Sequence, residues 1–311
     1  MRIAYKTKLG ICYNGMLEKV LQSKKFDKYK GQIDLIFTSP PFPLNRKKKY
    51  GNLKGEEYLI WLQEVGSLLY DYLSPKGSIV IEIGNSWESG YPLMSVLPMK
   101  ALLAFLESNE YYLCQQFVWN NPAKLPSPAQ WVNVERCRVK DSFTNIWWMS
   151  KTPYPKADNR KVLIEYSTSM KKLLKTQKYN AGKRPSEHAI SETSFLKNNK
   201  GAIPPNVITA ANTKSASRYQ TFCKENNLTL HPARMPSELP EFFIKFLTDE
   251  NDLVLDPFGG SNTTGAIAEE LNRRWISIEA SSEYVFGSLG RFSSVQKSPW
   301  LREELSLEVS S

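Results

Sequence analysis

The chain has 311 residues, 41% of them hydrophobic, and a formal net charge of +10. That length suits one large α/β domain carrying an insertion. No apolar run nears membrane-spanning length, and Arg2, Lys6 and Lys8 lie close behind Met1, which argues against a secreted or membrane protein. The excess charge is local: residues 151–230 hold 15 Lys and Arg against 5 Asp and Glu, and the rest balances at 26 of each sign, as a polyanion-binding segment in a neutral chain would.

In chain order, Leu9–Tyr13 reads as a strand, Asn14-Gly15 as a turn, and Met16–Ser23 as a short helix with Leu17, Val20 and Leu21 on one face. Asp34-Leu35-Ile36-Phe37 is a short apolar strand that stops at Ser39-Pro40-Pro41-Phe42. Two prolines without N–H groups make the chain leave the sheet stiffly, presenting a hydroxyl, unpaired carbonyl oxygens and a phenyl ring together. Arg46, Lys47, Lys48 and Lys49 form a basic loop suited to phosphate. Glu56–Tyr72 is a helix with Leu59, Leu62, Val65 and Leu69 inward. Ser78–Gly84, which contains Glu82, is a nearly all-apolar strand of the kind covered on both faces in a parallel sheet.

Pro98–Ser108 predicts another helix, and Tyr111–Trp119 and Ser142–Met149 two aromatic strands around a Pro-rich loop. Val162–Lys178 carries Leu163, Tyr166, Met170, Leu173 and Leu174 at helical spacing, and residues 179–220 are polar. From His231 the α/β pattern returns, with Leu239–Leu247 as a helix, Leu253–Asp256 as a strand, Thr263–Leu271 as a helix and Trp275–Glu279 as a strand. The four cysteines lack metal or disulfide spacing and suit a reducing, cytoplasmic compartment. His188 and His231 have no metal-ligand company, so structural roles and no metal are expected.

Asp256-Pro257-Phe258-Gly259-Gly260-Ser261-Asn262-Thr263-Thr264 lies between a strand and a helix, where glycines let the backbone approach a bound cofactor. Glu279 ends the next strand, near the roughly 20-residue spacing at which a carboxylate takes ribose hydroxyls. The third glycine of a dinucleotide fingerprint and the lysine of a phosphate loop are both missing. The pattern therefore suits a cofactor with adenosine but no phosphate.

Thr38-Ser39-Pro40-Pro41-Phe42, followed much later by Asp256-Pro257-Phe258-Gly259-Gly260, resembles the S-adenosylmethionine-dependent amino-group DNA methyltransferases. The likeness is to the beta class, and within it to the N4-cytosine enzymes of the PvuII-like type. It extends through Phe117–Pro126, Ala202–Val207 and His231–Pro236. The resemblance implies a Rossmann-like methyltransferase fold, a seven-stranded, mostly parallel sheet with one antiparallel strand, plus a smaller basic target-recognition region. It divides the chain into a catalytic half over 1–154, a target-recognition region over 155–230 and a cofactor-binding half over 231–311.

The resemblance also implies S-adenosyl-L-methionine held by Asp256, Pro257, Phe258, Gly259, Gly260, Asn262, Thr263, Thr264, Glu279 and Ser237. Double-stranded DNA would be held by Arg46, Lys47, Lys48, Lys49, Lys124, Lys183, Arg184, Lys214 and Arg218. A restriction endonuclease acting on the same site without a stable complex is a further expected partner. Two features depart from the pattern. Asn14 stands where relatives often carry an aspartate toward the cofactor, and Asn262 where a looser form has glycine, a position asparagine tolerates in left-handed geometry.

The chemistry accounts for the residue types. The amino nitrogen of cytosine shares its lone pair with the ring and needs acceptors on its N–H bonds; Ser39 and the Pro40 carbonyl serve, within the stiff Ser39-Pro40-Pro41 turn. Phe42 stacks on a base that has left the duplex, and Glu82 takes up the proton. Trp119 is a core aromatic or a wall of that pocket. Two alternatives stay open: N6-adenine methylation, usually associated with aspartate in place of Ser39, and a catalytically silent DNA-binding subunit. C5-cytosine methylation is disfavoured, because no cysteine follows a proline.

Overall fold

A computed structural model describes residues 2–42, 55–178, 182–183, 189–191, 195–213 and 217–301. Arg46 to Lys49, Arg184, His188 and Lys214 lie outside the described residues, and Lys183 is described in its backbone alone. The chain opens with β1 (Arg2–Lys6), β2 (Gly10–Asn14), α1 (Leu17–Leu21) and β3 (Ile33–Thr38). It continues through α2 (Gly55–Tyr70), β4 (Leu73–Gly84), α3 (Leu97–Glu107), β5 (Tyr112–Asn120) and β6 (Phe143–Ser150). Then come α4 (Thr168–Thr176), β7 (Gly182–Lys183), β8 (Ala189–Ile190), β9 (Val207–Thr209) and α5 (Arg218–Glu225). The last elements are α6 (Glu238–Leu247), β10 (Leu253–Asp256), α7 (Thr263–Glu270), β11 (Arg274–Glu279), α8 (Ser282–Ser288) and β12 (Gln296–Lys297).

Two compact units result, Met1–Ala157 with Asn206–Ser311, and Asp158–Pro205. In the first, ten strands form one sheet in the order β12-β1-β2-β11-β10-β3-β4-β6-β5-β9. Its middle seven, from β2 to β5 in that order, are the expected methyltransferase sheet: all run parallel except β6, which is antiparallel to both β4 and β5. β1, β12 and β9 extend it beyond the expected count. β12 and β9 are the edge strands, only two and three residues long, and β1 lies between β12 and β2 with just Ala4 and Tyr5 buried between charged ends, so all three carry little of the apolar signal that reveals a buried strand.

Helices cover both faces. Ile36 of β3 packs into one core with Leu17 of α1, Leu62 of α2 and Phe105 of α3. Its neighbours Leu35 and Phe37 join the opposite core with Phe243 of α6, Ala268 of α7 and Val285 of α8. That two-sided burial is why β3, β4 and β10 read as nearly unbroken apolar runs.

The second unit is small and polar. Its helix is shorter than the expected Val162–Lys178. Asp158 caps a 3-10 turn over Asn159–Val162, Ile164 bridges to Ala202, and Ser167 caps α4 by accepting from the Met170 amide at 3.2 Å. Capping side chains in this stretch thus start a new helix where the apolar spacing alone continues an old one. The polar stretch after residue 205 contains β9 and α5, both part of the first unit. Among the described residues, no helix is long and apolar enough to cross a membrane.

Candidate active site

Because β2, β11, β10, β3 and β4 are parallel, they end at one edge of the sheet, and the residues just beyond them line a cavity of about 880 Å³. Ser39, Pro40, Pro41 and Phe42 enter from β3, Glu82, Gly84 and Asn85 from β4, Asp256 to Ser261 from β10, Glu279 to Ser281 from β11, and Gly15 and Met16 from β2. The Ser-Pro-Pro-Phe turn and the glycine loop therefore open into the same space.

One end of the cavity is built on Glu82. This carboxyl is 4% exposed, with the Ser39 side chain as its hydrogen-bonding neighbour. Burial pushes its pKa up to about 7, although the Ser39 bond and the charge of Lys124 both pull it down. Phe42 lies over Gly84: a Cβ there would come within 2.9 Å of the ring, so the ring sits where only glycine leaves room. Trp119 lines the cavity too, its indole N–H donating to the Ala210 carbonyl at 2.9 Å.

The other end is built on Asp256. Thr38 Oγ1 donates to its Oδ1 at 2.8 Å, Thr264 Oγ1 to its Oδ2 at 2.7 Å, and the Phe258 amide to its Oδ1 at 3.1 Å. Burial raises its pKa against those three donors. Asp256 therefore fastens the loop to β3 as well as facing the cavity. Gly259 packs where a Cβ would meet Ser277 Oγ at 2.0 Å, and Gly260 has φ +49 with His231 beside it. Glu279 accepts from the Gly260 amide at 2.8 Å and from the Ser281 amide at 2.7 Å, and burial raises its pKa.

Some expected site residues stand elsewhere. Asn262 is 1% exposed and does not line the cavity; with φ +54, it accepts from the Gly265 amide at 3.1 Å and donates to Tyr5 Oη at 2.9 Å, holding the loop from behind. Ser237 stands at the start of α6, off the cavity, bonded to Glu238 at 3.3 Å. Asn14 donates to the carbonyls of Glu279 and Ala280 at 3.0 and 3.2 Å, tying β2 to β11. Arg218 is exposed at the start of α5.

Lys124 is paired with Asp141 at 2.8 Å on the cavity wall. Sequence reasoning missed Asp141, Asn85, Asn121, Tyr58 and Trp61, which also line the cavity. Nothing in the spacing of these residues connects them to one another. Trp61 stands against Phe258 with ring centroids 5.6 Å apart, and Tyr58 against Trp61 at 5.7 Å. His231, expected to be structural, lines the cavity with Nδ1 2.7 Å from the Ala233 carbonyl and its ring against Tyr284. Among the described residues, no group of three or more His, Cys, Asp or Glu is placed to hold a metal ion.

Comparison with known proteins matches residues 33–288 to a family described as DNA methylase, of the N6 and N4 type. The type II methyltransferase M.PvuII of Proteus hauseri is 44% identical over 291 residues, covering 93% of this chain and 85% of that protein. A solved structure of PvuII DNA methyltransferase, described as cytosine-N4-specific, superposes with a TM-score of 0.77 at 36% identity over 99% of this chain and 95% of that one. The structure of M1.HpyAVI in complex with SAM shares the fold, with a TM-score of 0.52 at 19% identity over 91% of this chain and 99% of the other.

Proposed function

The chain belongs to the DNA methylase family of N6 and N4 enzymes, and on that premise we propose that it transfers a methyl group to the exocyclic N4 of a flipped-out cytosine in a specific double-stranded DNA sequence. The methyl donor is S-adenosyl-L-methionine. The observation that carries the reading is the placement of Ser39 beside the buried Glu82 carboxyl, at the ends of adjacent strands and open to the same cavity as the glycine loop.

The cavity fits the donor. At about 880 Å³ it has room for a nucleoside and an amino-acid tail beside a base, and Gly259 and Gly260 line it with bare backbone where a Cβ would collide with Ser277 and crowd His231. Glu279 would hold the ribose hydroxyls, and Phe258, Pro257 and Thr263 would hold the rest. When bound, the donor supplies a methyl carbon on a cationic sulfur, which departs as a neutral thioether.

Ser39 gives its own hydrogen to Glu82, so its lone pairs are free to accept one N4–H, and the Pro40 carbonyl accepts the other. These acceptors draw the nitrogen toward a tetrahedral form with a localised lone pair. As the new N–C bond forms, N4 loses one proton to Ser39, and Ser39 passes its own to Glu82. A carboxyl raised to about 7 suits a proton acceptor working near neutral pH. Phe42 stacks on the extruded ring, and orientation supplies on the order of several kcal/mol of the acceleration.

Residues 155–230 are assigned the reading of the DNA sequence, because they carry the excess positive charge. Arg46 to Lys49, Lys183, Arg184, Lys214 and Arg218 are assigned to phosphates. A cytoplasmic location and a cognate endonuclease acting on the same site complete the proposal. Nucleoside digests of DNA treated with the enzyme and labelled donor should contain N4-methylcytosine. Label in adenine alone would overturn the cytosine reading, and label in neither base would overturn the enzymatic one.

A further inference from the structure

We propose that Lys124 identifies the target as cytosine by donating a hydrogen bond to the ring carbonyl oxygen O2. This deepens the cytosine reading and rests on it. The starting point is the chemistry of the two candidate bases. Laid on the same acceptors, cytosine and adenine present the same amino donor and the same neighbouring ring nitrogen. Their next edge position differs: cytosine has a strong carbonyl acceptor there and adenine a C–H. A donor fixed at that place favours cytosine and is left unpaired against adenine, which is how a buried polar group discriminates between otherwise similar ligands.

Lys124 is such a donor. Its side chain is 29% exposed, and its Nζ lies 2.8 Å from Oδ2 of Asp141, whose side chain is 9% exposed. Asp141 is itself held: its Oδ1 accepts from Asn85 Nδ2 at 2.8 Å, and Asn85 Oδ1 accepts from Asn145 Nδ2 at 3.0 Å. Asn85 directly follows β4, three residues beyond Glu82, and Lys124, Asp141, Asn85, Glu82 and Ser39 line one cavity. The charge of Lys124 is felt at Glu82. One N–H of the ammonium goes to Asp141, which leaves two for a ligand.

The neighbouring groups narrow the choice. Asn121 is largely committed, one N–H of its Nδ2 to Asn212 at 3.0 Å and its Oδ1 to the Ala123 amide at 3.1 Å, which leaves a single neutral N–H, and the Trp119 indole N–H is committed to Ala210. Arg136, Arg138 and Lys140 on the same loop are exposed, as suits phosphate contacts, whereas Lys124 is held by a nearly buried carboxylate inside the cavity. A lysine so fixed reads an edge rather than a backbone.

The test uses duplexes in which the target cytosine is replaced by 2-thiocytosine, whose sulfur is a weak acceptor, or by adenine. For the unaltered enzyme, the thio substitution should lower kcat/KM about 10- to 100-fold, the worth of a hydrogen bond to a charged group. In Lys124→Met, cytosine turnover should fall by a similar factor, the thio penalty should vanish, and the preference for cytosine over adenine should shrink in step. Calorimetric binding of S-adenosyl-L-methionine to the variant checks its fold, and Lys124→Arg should retain part of the preference. Equal rates on cytosine and 2-thiocytosine by the unaltered enzyme would overturn the proposal whatever the variant does. So would a full thio penalty persisting in a folded Lys124→Met. Failure of the cytosine reading itself has a different signature, label from the unaltered enzyme in adenine.

Discussion

Replacing Glu82 by glutamine should stabilise the fold while disabling the enzyme, and the size of the effect follows from burial. The carboxyl is 4% exposed, and burial lifts it from the ordinary 4.5 to about 7 despite the Ser39 bond and the Lys124 charge. Each pH unit between the two values is worth about 1.4 kcal/mol, so keeping Glu82 ionised in the folded state costs about 3 kcal/mol. The sign follows from which state is neutral. With the folded value above the unfolded one, the neutral carboxyl favours the fold below 4.5, and that advantage is lost as pH rises through about 7. Glutamine has no charge to bury and still accepts from Ser39. Urea unfolding should find Glu82→Gln more stable than its parent by about 3 kcal/mol near pH 8 and by less than about 1 kcal/mol near pH 5. Methyl transfer should meanwhile fall about 100- to 10,000-fold, and the parent's rate should climb with pH through about 7. A variant no more stable than the parent at the higher pH would refute the burial argument, and a parent rate flat across this range would refute the role as proton acceptor.

Ser39→Ala should abolish methyl transfer while DNA and donor affinities stay close to the parent's, since it removes an acceptor used at the reacting nitrogen; near-normal single-turnover rates would be incompatible with that role. Glu279→Ala should weaken donor binding by about 1.5–3 kcal/mol through loss of charge-assisted bonds, and unchanged calorimetric affinity would move the ribose elsewhere. Gly84→Ala brings a methyl within 2.9 Å of the Phe42 ring and must displace it. The expected result is weaker capture of the extruded base, by about 1–3 kcal/mol, read from 2-aminopurine fluorescence at the target position with donor affinity unaltered.

How far the site could be read from sequence depended on distance along the chain. Leu253 to Asp256 and the glycine loop were legible because an all-apolar strand ending in Asp-Pro-Phe-Gly-Gly is a local signal, and the strand bounds agree with the structure. The pairing of β3 with β10 followed from the family resemblance. Asp141 and Asn85 were not legible, because 56 residues separate the partners of their hydrogen bond and neither lies in a periodic segment. α5 was missed for another reason. It is held by a Ser217–Gln220 capping box and by burial of only Tyr219 and Cys223, so its sequence looks like the polar stretch before it. Asn262 was rightly tolerated in a left-handed turn, but its side chain turns inward, a choice set by Tyr5, which is 257 residues away.

The separation of the two motifs in sequence, from Ser39 to Asp256, is reconciled by register. β3 and β10 are neighbours and parallel, with Leu35 opposite Val254 and Ile36 opposite Leu255, so both strands end together. Thr38, one residue before Ser39, donates to Asp256, which also holds Thr264 and the Phe258 amide. The Ser39 hydroxyl and the glycine loop are therefore separated by one buried hydrogen bond and a few backbone links. Methyl transfer requires nucleophile, carbon and leaving sulfur in line, and a displacement of about 1 Å is enough to cost orders of magnitude. A fold that joins its two motifs at Asp256 holds Ser39 and the glycine loop in fixed relation although they lie far apart in the chain. A change confined to the separate unit Asp158–Pro205 should therefore leave the Thr38–Asp256 connection in place, because no part of that connection passes through it.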